Sequence, residues 1–127
     1  FRRVLFRSVQ WNEAISVPVT TLDQLITTHG QPQFCKIDVE GYEDEVLLGL
    51  SQPLPTLSFE FVPAAQDVSL HCLNRLAELG DYRYNWSWGE SHRLVKDQWL
   101  SGQQMSRILE EMDPDGPSGD IYAVEAS

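Results

Sequence analysis

The stretch Phe34-Cys35-Lys36-Ile37-Asp38-Val39-Glu40-Gly41-Tyr42-Glu43-Asp44-Glu45-Val46-Leu47 decides how this chain is read. It predicts a buried strand over 34–39 that ends in carboxylates, then a glycine turn, then a helix over 42–50. Glu43, Asp44 and Glu45 fall in the first turn of that helix. Negative charge there is favourable by about 0.3–1 kcal/mol per group, so those three acids have a structural reason to be present. Asp38 and Glu40 have no such local reason. In an open parallel sheet, ligands bind in the crevice outside the carboxyl ends of the strands. Two acids at such an end, followed by Gly41, which permits close backbone approach, suit the positioning of a ligand or cation.

Strand alternation directs Lys36, Asp38 and Glu40 to one side, with neighbours about 6.6 Å apart at about 3.3 Å per residue. An unpaired ammonium in mid-strand is costly to bury. Lys36 is therefore expected to pair with Asp38 or with Glu60, and so to support the carboxylates. Glu60 lies near the end of the next strand, 57–62, and faces the same crevice.

Upstream, Ile15-Ser16-Val17-Pro18-Val19 reads as a short extended stretch. Thr21-Leu22-Asp23-Gln24 fits a capping box, and Gly30 and Pro32 end the helix that follows. Downstream, Asp67 is placed to cap a helix over 68–79 that stops at Gly80. Tyr82-Arg83-Tyr84-Asn85-Trp86-Ser87-Trp88 alternates strictly and reads as a strand. Residues 89–96, with His92, read as a turn and a short strand. Ser101 and Gln104 offer a second capping box, with Met105, Ile108, Leu109 and Met112 on one helix face. Residues 120–125 form the last strand. This alternation argues an α/β sandwich with a mostly parallel sheet, the aromatic strand and the last strand making an antiparallel edge pair at its C-terminal end.

The chain has 127 residues, a hydrophobic fraction of 42% and a formal net charge of −10, which suits one soluble, core-forming domain. The acidity argues against phosphate-backbone binding, which needs Lys/Arg clusters, so no nucleic-acid partner is expected. No apolar run reaches the roughly 18 residues of a membrane helix. Arg2, Arg3 and Arg7 are three of the nine basic residues, and Phe1-Arg2-Arg3-Val4-Leu5-Phe6-Arg7-Ser8 lacks an initiating Met. Residues 1–8 are read as a non-native segment and residues 9–127 as the domain. Cys35 and Cys72 show no C-x-x-C spacing and read as small core residues, consistent with a reducing, cytoplasmic setting.

Several chemistries lack their motifs. There is no Gly-x-Gly-x-x-Gly or P-loop pattern, no His/Cys metal spacing and no Gly-x-Ser-x-Gly elbow. His29 suits a helix C-terminus, and His71 and His92 read as surface or packing residues. Two rival readings stand beside a strand-end enzyme site. One is a nucleotide-sugar transferase with Asp38-Val39-Glu40 as a D-x-D-like Mg²⁺ or Mn²⁺ site. The other is a non-enzymatic acidic interaction module presenting Glu43, Asp44 and Glu45.

A family resemblance bears on this choice. Val17-Pro18-Val19-Thr20-Thr21-Leu22-Asp23, then Lys36-Ile37-Asp38-Val39-Glu40-Gly41 with Glu43 and Val46-Leu47-Leu48-Gly49, then Leu57-Ser58-Phe59-Glu60, resembles the FkbM family of S-adenosylmethionine-dependent methyltransferases. The resemblance runs continuously from Val17 to Glu60. It implies part of a Rossmann-like class I methyltransferase sheet, and O-methylation of a hydroxyl on a sugar, polyketide or other small metabolite. It implies Asp38, Glu40 and Glu60 as the catalytic set, with Glu40 or Glu60 binding or deprotonating the acceptor. It places Asp38 and Gly41 beside the cofactor and Lys36 in support, with no metal. Family members also carry an earlier first strand with a Gly-rich loop and an acidic second strand end, neither of which is visible here. The chain is therefore expected to be the C-terminal part of the domain. Most of the S-adenosylmethionine site would lie in the absent half, and the chain alone would be inactive.

Overall fold

Extended stretches with one apolar side alternate with helices, two of them capped by Thr21 and Ser101, and the backbone follows that alternation. The computed structural model describes residues 2–3 and 16–126. Two short strands, β1 (Arg2–Arg3) and β2 (Ser16–Val17), pair antiparallel. Apart from Arg2–Arg3, the segment expected to be non-native lies outside the described residues.

Helix α1 (Leu22–His29) begins where Thr21, in extended conformation, accepts the Gln24 N–H at 3.1 Å. It ends at Gly30, whose φ of +91° only a glycine adopts easily. Then follow β3 (Cys35–Ile37), α2 (Glu43–Leu48), β4 (Thr56–Phe61), a 3-10 turn over Pro63–Ala65 and α3 (Gln66–Leu79). The chain closes with β5 (Tyr82–Trp88), α4 (Gly102–Glu111) and β6 (Gly119–Glu125). At α4 both halves of the expected capping box form: Gln104 N–H to Ser101 Oγ at 3.2 Å and Ser101 N–H to Gln104 Oε1 at 2.9 Å.

The four-stranded sheet has the order β3-β4-β6-β5. β3 runs parallel to β4, and β6 runs antiparallel to both β4 and β5. The antiparallel β5–β6 edge pair is present, but the sheet is mixed rather than mostly parallel. The reason is topological: β6 inserts between β4 and β5 and replaces the parallel pairing they would otherwise make.

Strand register explains the layers. Ile37, Phe59, Ile121 and Trp86 form one row across the sheet. Leu57, Ala123 and Tyr84 form the row beside it on the same face. These residues join Leu47, Leu50, Cys72, Leu73, Leu76, Met105 and Leu109 in one core, with Leu22 and Ile26 of α1 packed against it. All four helices thus serve one face, which makes two layers rather than a sandwich. The rows of the other face are polar: Lys36, Ser58, Tyr122 and Asn85, then Glu60, Asp120 and Ser87.

Other expectations are corrected. The strand over 34–39 is only three residues long, because the chain leaves the ladder after Ile37. Asp67 does not cap α3. Pro63 starts the 3-10 turn, in which Ala65 N–H already bonds Val62 O at 2.8 Å, so helical geometry begins before Asp67. Residues 89–96 make no named strand. The chain from there to Leu100 instead shields the outer edge of β5, with Val95 N–H on Trp86 O and mutual bonds between Leu100 and Tyr84, all at 2.8 Å. The Asn85 side chain, fully buried, adds bonds to Lys96 O at 2.8 Å and from Lys96 N–H at 3.1 Å. An edge strand closed in this way is protected from pairing with other chains. Among the described residues, no helix is long and apolar enough to cross a membrane.

Candidate functional site

The site is built where β3 and β4 end. Beyond Ile37 the backbone turns sharply: Glu40 has φ +49° and Gly41 φ +99°. Two left-handed residues in succession reverse the chain in little space. At Glu40, which is not glycine, this costs on the order of 1–3 kcal/mol. The turn leaves Asp38 and Glu40 exposed at the strand end.

Glu43, which the sequence marks as a helix-start acid and as part of the family-like motif but not as a site residue, bonds back to this turn. Glu43 is 2% exposed, and its carboxylate accepts the Gly41 N–H at 2.9 Å (Oε2) and 3.2 Å (Oε1). Burial pushes its carboxyl upward from the ordinary value, against the backbone N–H groups of Glu43 itself and of Gly41, which lower it. The neighbouring Asp44 and Asp38 charges push the same way as burial. The sequence signal that could have found Glu43 is its place at the first helical position, from which a long acid can reach back. Asp44 has other work. It accepts Glu45 N–H at 2.9 Å and sits 3.3 Å from His71 Nδ1, linking α2 to α3.

Glu60, half-buried near the end of β4, also has its carboxyl raised. Burial is the largest cause, followed by the charges of Glu43, Asp38, Asp120 and Glu40. The four groups that act on Glu60 come from the 38–41 turn, α2 and β6. The structure therefore brings Asp38, Glu40 and Glu60 into one electrostatic neighbourhood. It adds Glu43 and Asp120, which sequence reasoning missed. Asp120 is the Cα partner of Glu60 across the β4–β6 ladder. Nothing local in the sequence marks that meeting.

Lys36 is not brought into this group. It is exposed, and among the described residues no ion pair joins it to Asp38 or Glu60. The expected partner rested on burial in mid-strand. β3 is instead the edge strand of the described sheet, so the ammonium reaches solvent and needs no carboxylate. Gly41 sits at the apex of the turn with its N–H committed to Glu43. Among the described residues, no group of three or more His, Cys, Asp or Glu side chains is arranged to hold a metal ion, so the D-x-E metal reading gains no support. The His92 ring is exposed and 3.9 Å from Glu90 Oε2, away from these acids in the chain.

The chain is thus an α/β domain with its helices on one face of the sheet and with acidic side chains where the parallel β3 and β4 strands end. The family model described as the Methyltransferase FkbM domain matches residues 3–84, more than half of the chain. The chain belongs to this methyltransferase family. The match includes Asp38, Glu40, Gly41, Glu43 and Glu60 and leaves Asp120 outside. No curated protein and no solved structure matches the chain significantly.

Proposed function

We propose that this chain carries the acceptor side of an S-adenosylmethionine-dependent O-methyltransferase, acting on a hydroxyl of a small metabolite such as a sugar or polyketide. The observation that carries the reading is the convergence of Asp38, Glu40 and Glu60 at the carboxyl ends of the parallel β3–β4 pair, inside the family-matched region. In this reading the sheet is the later part of a Rossmann-like class I arrangement, and two free thiols fit a reducing, cytoplasmic setting.

The donor chemistry of the site suits the cofactor. When bound, the cofactor supplies an electrophilic methyl on a positively charged sulfonium. Asp38 and Glu40, exposed and acidic, complement that charge. Gly41, which has no side chain, contributes a turn that lets backbone come close, while its N–H is spent on Glu43. Glu60 is the best proton acceptor of the set, because its raised proton affinity lies nearer to working pH, where general bases are most effective. Glu40 is placed to hold the acceptor hydroxyl, and alignment of acceptor and methyl supplies the rest of the rate.

Titration of the chain with S-adenosylhomocysteine, followed by amide chemical shifts, tests the reading. Shifts confined to 38–41 and 60–62, and lost in Asp38→Asn, are the expected result. Shifts scattered over the β5 side of the sheet, or none at saturating ligand, overturn it.

A further inference from the structure

We propose that Glu43 is a positioning residue whose buried carboxylate clamps the Gly41 N–H and thereby fixes how the 38–41 turn presents Asp38 and Glu40. The proposal rests on the reading of those two carboxylates as the site. Three observations carry it. First, the turn lies beyond the β3–β4 ladder, which ends with the Ile37–Phe59 pair, so the sheet does not hold it. Its two successive left-handed residues, Glu40 and Gly41, need a restraint from elsewhere.

Second, both oxygens of one carboxylate lie on a single N–H, at 2.9 and 3.2 Å, and Glu43 is 2% exposed. Third, this is not ordinary helix capping. Tyr42 occupies the N-cap of α2 with no side-chain cap bond, whereas Ser, Thr or Asp would serve there. The acid reaches back past the cap to the turn instead. It does so among like charges: Asp38 on the turn, Asp44 on its own helix and Glu60 on β4. Cys72 of α3 feels Glu43 and Asp44 as well. His71 of α3, 3.3 Å from Asp44, is the basic group on that side. A buried carboxylate in such company is costly unless its hydrogen bond matters.

The test uses the whole chain and amide exchange with no ligand present. Glu43→Ala is expected to raise exchange at Gly41 by about tenfold, the loss of one hydrogen bond, and to shift the 38–41 amides. The β4 and α3 amides stay unchanged. Glu43→Gln, which keeps an acceptor, restores part of the protection. In the wild type the Gly41 amide proton follows a titration displaced upward from the ordinary carboxyl value, and Glu43→Gln abolishes that titration. This signature also serves if Glu43→Ala fails to fold. Unchanged Gly41 exchange in folded Glu43→Ala, or a Gly41 proton indifferent to pH in the wild type, overturns the proposal. So does a loss of protection spread evenly over α2 and β4, which marks a merely structural role. If the clamp behaves as expected while S-adenosylhomocysteine shifts nothing, the clamp stands and the methyltransferase reading of the site fails.

Discussion

Glu60 and Asp120 face each other as Cα partners across the antiparallel β4–β6 ladder, on the side of the sheet away from the helices. Like charges directly opposite are destabilising in a sheet. The Glu60 carboxyl is raised above its ordinary value of 4.5, chiefly by burial and then by the charges of Glu43, Asp38 and Asp120. A carboxyl with a raised folded pKa favours the folded state when protonated. Its stabilising contribution is full below 4.5 and is lost as pH rises through the raised value. Glu43 acts in the same sense. The chain is therefore expected to melt at a higher temperature near about pH 5 than near about pH 8. The net charge of −10 contributes to the same trend. Comparison with Glu60→Gln isolates the local part, because that variant, and Asp120→Asn more weakly, flattens the slope. Parallel wild-type and Glu60→Gln profiles in calorimetric scans would remove the local effect.

What could be read from the sequence is what is coded locally. The alternation of Tyr82, Tyr84, Trp86 and Trp88 located β5 to the residue, and Thr21 and Ser101 located two helix starts. The acids Asp38, Glu40 and Glu60 were visible because strand ends are local features. The insertion of β6 between β4 and β5 was not visible, because it depends on pairings some 60 residues apart, such as Glu60 with Asp120. Lys36 was misjudged because a strand of the same composition reads alike at an edge and at a centre. Glu43 was missed because a first-turn acid can stay in solvent or fold back, and only the left-handed turn at Glu40 and Gly41 decides which.

Gly119 opens β6 in a space that admits no side chain. A Cβ there would fall inside contact distance of the Ser87 carbonyl oxygen and within 2.8–2.9 Å of the Phe61 ring. The same Phe61 ring meets Trp88 edge-on at 5.7 Å, so it has little room to retreat. Gly119→Ala is expected to lower stability by about 1–3 kcal/mol, the usual range for overpacking. A urea melt measures it. No change in midpoint would mean that the β5–β6 end relaxes freely.

Arg75 of α3 ties down the end of α2. Its guanidinium donates to Leu47 O at 3.3 Å, which also accepts the Leu50 N–H at 3.2 Å, and to Leu50 O at 2.7 Å, just past the end of the helix. A cation there also complements the helix dipole. Arg75→Ala is expected to cost about 1–3 kcal/mol, as for hydrogen bonds from charged donors. Arg75→Lys keeps the charge but not the fork and recovers only part of the loss. The Glu78 partner at 3.0 Å is largely exposed, so Glu78→Gln is expected to change stability by less than about 1 kcal/mol. Equal losses in Arg75→Ala and Glu78→Gln, read from urea midpoints, would shift the credit from the α2 carbonyls to the surface pair.

Tyr82 anchors the loop between α2 and β4 beneath the start of β5. Its hydroxyl donates to Leu54 O at 2.6 Å and accepts Leu54 N–H at 2.8 Å. Tyr82 is 3% and Leu54 1% exposed, so no bulk water stands ready to replace the phenol. Both backbone groups of Leu54 depend on one oxygen, and buried groups left without a partner each cost desolvation. Tyr82→Phe keeps the ring and removes only that oxygen. The expected loss is about 1–3 kcal/mol, seen as a lower urea midpoint with an unchanged slope. A changed slope would show that the loop detaches before the rest of the domain unfolds. A loss near zero would show that a buried water takes the place of the hydroxyl, and amide exchange at Leu54 separates these two outcomes.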